Sequence, residues 1–160
     1  MKIIKSIDQS EVFGHWEMIE KRTISHRLDI TFPLVAYGNL RWSLAQIENA
    51  DIEKFYICSS DDWLNEGLCF PNFKLLTAVQ NYKKTNFGYG KYKDIKEKEN
   101  IFIKDPSILD TKLILVSDNE NGPFTIIEGC KRAVALGSLD KLVGNKIFLG
   151  VSKNIKTYIW

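Results

Sequence analysis

Five consecutive residues, Glu128, Gly129, Cys130, Lys131 and Arg132, place a carboxylate, a chain-reversal point, a thiol and two cations directly after the apolar run Phe124, Thr125, Ile126 and Ile127. A β-branched and aromatic run of this kind predicts a short buried strand, and Gly129 supplies the sharp exit that a residue with a Cβ would resist. Ala133, Val134, Ala135 and Leu136 then predict a helix, with Gly137 placed to end it in a left-handed conformation. The first turn of a helix leaves backbone N–H groups unpaired and carries partial positive charge. Gly129, Cys130, Lys131 and Arg132 are therefore expected to form a phosphate-binding corner, in which the two cations add mobile donors. Glu128, at the end of the strand, is the expected catalytic base, metal ligand or partner of one of those cations. A strand-turn-helix corner with solvated charges fits the same letters.

The order strand, acidic residue, Gly-x-x-Arg, Ala-rich helix resembles the phosphate-binding signature of the ParB/sulfiredoxin superfamily. Gly129-Cys130-Lys131-Arg132 matches the Gly-x-x-Arg element of ParB-like proteins and three of the four positions of the sulfiredoxin Gly-Cys-His-Arg, with Lys131 in place of His. A lysine contacts phosphate as a point charge, without the tautomers of imidazole. Around the motif, strand 112–117, turn 118–123, strand 124–127, helix, and strand 146–152 after the Gly144-Asn145 turn are similar to the superfamily's core order over residues 108–155; residues 1–100 carry no such resemblance. The superfamily includes CTP-binding partition proteins, ATP-dependent sulfinic acid reductases, serine kinases and proposed nucleases. The resemblance thus implies a nucleotide triphosphate or diphosphate as ligand, with Mg²⁺ as an accompanying ion, and phosphoryl transfer or hydrolysis as the leading activity. Two alternatives stand beside it: a non-catalytic sensor or sequestering binder of a nucleotide-like signal, and a DNA- or RNA-binding protein or nuclease. Sulfiredoxins place their catalytic cysteine at the position of Cys130. A thiol at a helix N-terminus beside two cations is expected to have a lowered pKa.

Other residues could join such a site. Asp118 and Glu120, in the turn before the motif strand, are a carboxylate pair for Mg²⁺ on a polyphosphate; turn-forming acidic residues explain the same letters. Lys153, after the last core strand, is an accessory cation for the same pocket. Residues 81–100 interleave Lys83, Lys84, Lys91, Lys93, Lys96 and Lys98 with Tyr82, Phe87, Tyr89 and Tyr92 around Gly88 and Gly90. Rings among cations can stack bases, and glycines can hinge a lid over a phosphate site. Asp94, Glu97 and Glu99 offset half that lysine charge, so an ordinary solvated loop is the competing reading. His15 and His26 lie eleven apart and have no metal-ligand spacing.

The elements that must position these residues are those of an α+β domain, a small mixed β-sheet with peripheral helices. A chain of 160 residues suits one domain with a sizeable core, residues 1–160. Upstream, residues 10–22 predict a helix with Val12, Trp16 and Ile19 on one face and Ser10 as its cap; residues 54–59 predict a strand, 61–64 the start of a short helix, and 73–84 another helix. Residues 41–48 fit strand and helix equally. Hydrophobic residues at 44% and charged residues at 26% exclude a disordered chain, and a net charge of +2 does not demand a nucleic acid partner. Cys58, Cys69 and Cys130 are too dispersed for a disulfide framework or a metal clip, and no apolar run is long enough to span a membrane. Reduced thiols and the absence of a leader-like apolar segment predict a cytoplasmic location.

Overall fold

The computed structural model describes residues 1–21, 40–58, 61–85, 88–105 and 112–157; His26 and Phe87 lie outside them. Its architecture is α+β. In chain order the elements are β1 (Lys2–Ser6), α1 (Gln9–Glu20), β2 (Arg41–Gln46), a 3-10 helix (Asn49–Lys54), β3 (Phe55–Ile57), α2 (Asp61–Asn65), α3 (Leu75–Lys84), α4 (Gly90–Lys104), β4 (Leu113–Ser117), β5 (Phe124–Glu128), α5 (Cys130–Ser138), β6 (Lys146–Val151) and a 3-10 helix (Lys153–Thr157). Six strands form one mixed sheet in the order β1-β2-β6-β4-β5-β3. β4 pairs in parallel with β6, and β3 in parallel with β5, while β4 and β5 are antiparallel. The two parallel pairs therefore point in opposite directions.

Alternation along the central strands separates two cores. Leu113, Leu115, Phe124, Ile126, Ile147 and Leu149 face α3, α4 and α5, whereas Ile114, Val116, Ile127 and Phe148 face Val12 and Trp16 of α1. Every residue of β4 is buried, as a central strand covered on both faces requires. Of residues 41–48, ambiguous in isolation, Arg41–Gln46 form strand β2 because a full antiparallel ladder with β6 from Arg41↔Val151 to Gln46↔Lys146 is available. Helix α1 begins after Asp8, two residues before the expected cap Ser10.

Residues 90–104 form helix α4, not a loop or a hinged lid. Tyr92, Ile95 and Phe102 recur at helical spacing and are buried against α3 and α5. Of the rings expected to stack bases, Tyr82 and Tyr92 are buried against each other with ring centroids 6.0 Å apart and 27° between planes, whereas Tyr89 is 63% exposed. Gly137 does not end α5, which continues through Ser138. Its missing Cβ instead leaves room for Val79 of α3, whose Cγ2 would lie 2.6 Å from a Cβ placed there, so this glycine sets the close α3–α5 approach.

Glu99 sits in the apolar register of α4 at 6% exposure. It accepts hydrogen bonds from Tyr82 Oη at 2.9 Å, from Lys96 Nζ at 2.8 Å and from Ser138 Oγ, so one carboxylate joins α3, α4 and α5. Burial pushes its pKa up, but the bonds from Lys96, Ser138 and Tyr82 outweigh burial and hold it below the ordinary value. A depressed folded-state pKa contributes stability that is fully present above the unfolded pKa and is lost as pH falls through the folded value. Urea unfolding followed from neutral pH to about pH 3 should therefore show the wild type losing more stability than Glu99→Gln, the difference appearing below about pH 4.5. Parallel pH profiles for the two proteins would contradict this role.

Candidate functional site

Register fixes where each candidate residue lies. Ile114 pairs with Glu128 and Val116 with Thr125, so the end of β5 adjoins the start of β4. Ser117 pairs with Val151, so the end of β4 adjoins the end of β6. Glu128, Gly129, Cys130, Lys131 and Arg132 thus occupy one end of the sheet. Asp118, Glu120 and Lys153 occupy the other. The expectation that these three residues complete the pocket at Glu128 is corrected by the antiparallel hairpin, which carries residues adjacent in sequence to opposite ends of the strands.

At the hairpin end, Arg41, Asp118, Asn119, Glu120, Ser152 and Lys153 line an open groove of about 570 Å³. The Arg41–Glu120 pair at 3.8 Å is mostly solvated, with side chains 78% and 59% exposed, so it adds little to stability. Asp118 Oδ1 accepts a hydrogen bond from Asn119 Nδ2 at 2.6 Å, and Asn119 also binds the Gly122 carbonyl, which matches the turn-forming reading of these letters. Among the described residues, no group of three or more His, Cys, Asp and Glu side chains is arranged to hold a metal ion.

At the other end, β5 passes through Gly129 into α5. Gly129 has φ +93°, a left-handed conformation that costs a residue with a Cβ about 1–2 kcal/mol. A Cβ here would also lie 2.6 Å from Leu113 Cδ2 and 2.9 Å from Arg132 Nη2, so the guanidinium is packed against the bare backbone. Among the described residues no side chain caps α5; the N–H groups of its first turn are donors of the kind that bind anions.

The charges at this corner are arranged in pairs. Arg132 is only 7% exposed, and its Nη2 donates to Glu128 Oε1 at 3.3 Å. This i,i+4 pair bridges the strand end and the helix start, and both side chains are largely removed from water. Lys131 Nζ pairs with Asp94 of α4, 37 residues away in sequence, with the two side chains 38% and 43% exposed. The Lys131 ammonium lowers the Asp94 pKa, chiefly through the hydrogen bond and against the opposing effect of burial. Asp94 was not foreseen as part of this corner, because its placement depends on α4 lying along α5.

Cys130 departs from expectation. Its Sγ donates to the Ile126 carbonyl at 3.3 Å, and the thiol pKa is raised, not lowered: burial is the largest cause, and the nearby Cys58 and Glu128 add to it. The two cations expected to favour the thiolate are engaged by Asp94 and Glu128. Cys69 is likewise pushed up to about 12 by burial. A raised pKa disfavours the thiolate form of this side chain. His15 has a packing role, its ring edge-on to Phe148 at 5.1 Å and its Nε2 3.3 Å from the Lys112 carbonyl. No described helix is long and apolar enough to cross a membrane.

Comparison of the chain with protein-family models, with characterised proteins and with solved structures gave no match.

Two outcomes test this geometry. Gly129→Ala should lower stability by about 2–4 kcal/mol, combining left-handed strain with overpacking against Leu113 and Arg132; a urea midpoint equal to wild type would contradict the close approach. Titration with a thiol reagent at pH 7–8 should find Cys130 reacting far more slowly in the native protein than after unfolding in urea. Immediate native reaction at Cys130, located by peptide mapping, would contradict the raised thiol pKa.

Proposed function

We propose that this chain binds a small phosphorylated molecule of the nucleotide class at the corner where β5 turns through Gly129 into α5, and acts as a sensor or sequestering binder. The observation that carries the reading is the start of α5: a left-handed glycine delivers the strand directly into a helix whose first turn has no side-chain cap among the described residues. Such an end favours an anion through its N–H groups and its dipole, and Lys131, a residue of that first turn, is partly exposed. The resemblance of Gly129-Cys130-Lys131-Arg132 to the ParB/sulfiredoxin phosphate motif supports the same ligand class.

A specific observation favours binding over phosphoryl transfer. A general base must be able to take a proton from the attacking group, whereas Glu128 already accepts a hydrogen bond from Arg132 and is 15% exposed. Arg132 acts from beneath, holding Glu128 and the helix start, and Lys131 with the backbone amides meets the ligand. A nucleic acid role has less support, since Tyr82 and Tyr92 are buried and Tyr89 alone of the described rings in that segment is exposed, while Lys96 and Lys131 are paired with Glu99 and Asp94.

The test is a panel of nucleotides with and without Mg²⁺, read by thermal unfolding and by product formation. The expected result is stabilisation without turnover. At a ligand concentration of 100 times Kd the gain is about 2.7 kcal/mol, which raises the midpoint by about 5–10 °C for a chain of this size. Lys131→Met should weaken binding by roughly tenfold while leaving the midpoint of the ligand-free protein within about 2 °C of wild type. Arg132→Ala is a poor probe, because it removes the guanidinium that the largely buried Glu128 carboxylate bonds and lowers stability for structural reasons. Absence of stabilisation by every nucleotide would overturn the reading, and turnover would restore the transferase.

A further inference from the structure

We infer that Cys58 and Cys130 are a paired oxidation site, at which a small disulfide of the oxidised-glutathione class forms a Cys58–Cys130 disulfide that fastens β3 to the start of α5. The inference goes beyond the binding reading and does not depend on it. Cysteines that are 72 positions apart in the sequence meet where β3 and β5 end side by side.

One carbonyl oxygen brings the pair together. β3 and β5 are parallel with Ile57 opposite Ile126, so Cys58 is the first residue beyond the ladder, and its backbone N–H donates to the Ile126 carbonyl at 3.1 Å. The turn through Gly129 folds the start of α5 back over the end of β5, and Cys130 Sγ donates to that same carbonyl at 3.3 Å. The Cys58 N–H also lies close enough to the Cys130 sulfur to act on its titration. A disulfide needs Cα atoms about 4.4–6.8 Å apart, a spacing that neighbouring strands provide. Cys58 and Cys130 both keep some exposed surface, whereas Cys69 is fully buried, with its N–H bonded to the Trp63 carbonyl at 3.1 Å. An oxidant from solution therefore reaches the first two and not the third.

The chemistry is thiol–disulfide exchange in two steps. Cys58 loses its proton to solvent and attacks one sulfur of the oxidant; a mixed disulfide forms on Cys58, the oxidant's S–S bond breaks, and the departing thiolate takes up a proton. Cys130 then gives up its thiol proton and attacks Cys58 Sγ, which closes the Cys58–Cys130 bond and expels the second thiol. The chain loses two electrons and two protons, and the oxidant gains them. Burial raises the Cys130 pKa, so the second step is slow. The same burial withholds the thiolate stabilisation that makes a disulfide strongly oxidising, so the bond resists reduction once it has formed. β3 is only three residues long and stands at the edge of the sheet, which makes its end the place where a covalent tie adds most to the hold on that strand.

The test is to incubate the reduced native protein, freed of reductant, with oxidised glutathione at about pH 8, and to map its disulfides by mass spectrometry of unreduced peptides. The expected product is a Cys58–Cys130 cross-link that forms by way of glutathione on Cys58 and is reversed by dithiothreitol. Cys130→Ser should halt the reaction at the Cys58 adduct, Cys58→Ser should prevent the cross-link, and Cys69→Ser should leave it unchanged. Oxidised wild type should unfold about 5–10 °C above the reduced protein, since the bond closes a long loop in the unfolded chain. A cross-link through Cys69, glutathione adducts that never resolve, an unmodified protein, or a cross-link that forms only in urea would each overturn the pair. Equal midpoints for the oxidised and reduced proteins would overturn the fastening of β3. Mapping of the wild type decides the pairing even where a variant fails to fold.

Discussion

The Glu128–Arg132 pair, closed across Gly129, is the interaction on which the rest of this structure depends. An arginine that is 7% exposed must be neutralised by a nearby carboxylate, and the turn between residues 128 and 132 runs through a left-handed residue where a Cβ would meet Leu113 and the guanidinium itself. Pair and turn together fix the direction in which α5 leaves the sheet. The helices α3 and α4 then pack on α5, through Gly137 on one side and through Glu99, Ser138 and the Lys131–Asp94 contact on the other. Misplacing the start of α5 would therefore disturb the whole layer on that face.

The strand directions divide the polar chemistry of the molecule. With β3 and β5 pointing one way and β4 and β6 the other, each end of the sheet receives the carboxyl ends of one parallel pair. One end carries Gly129 and the helix start, with its charges drawn into pairs. The other carries Arg41, Asp118, Glu120 and Lys153 around an open groove. Both signs of charge are present at that groove, and its residues already serve the turn or pair weakly with one another. Proximity in sequence suggested one site where the sheet makes two unlike ends.

The strand-turn-helix unit at 124–138 was legible because local signals agree: a β-branched run, a glycine at the exit and small residues in the helix. The flanking strands β4 and β6 were legible for the same reason. What escaped depends on contacts between distant segments. Strand β2 is decided by its ladder with β6, 100 residues away, and β1 by its pairing with β2. Residues 90–104 look like a solvated loop when their lysines are weighed against their acids, but Tyr92, Ile95, Glu99 and Phe102 fall at helical spacing. The misleading member is Glu99, a carboxylate in an apolar register, and the hydroxyls that justify it come from Tyr82 and Ser138 on other helices. For Glu128 and Arg132, the spacing of four between opposite charges was the available signal that they would pair with each other.

That pairing also bears on what the corner can do. A cation held in a largely dry ion pair contributes an oriented, permanent field but gives up little further when a ligand arrives, since its charge is already compensated. The donors left to respond to a ligand are the amides of the first turn and a lysine whose partner is partly solvated. Backbone amides cannot move a proton to or from a reacting group at neutral pH, and a lysine on a flexible stem adds affinity without supplying a base. Among the described residues, Glu128 is committed to Arg132, so the proposed reading asks of this corner only that it hold a phosphate. Under that proposal Glu128 and Arg132 are the foundation beneath the ligand.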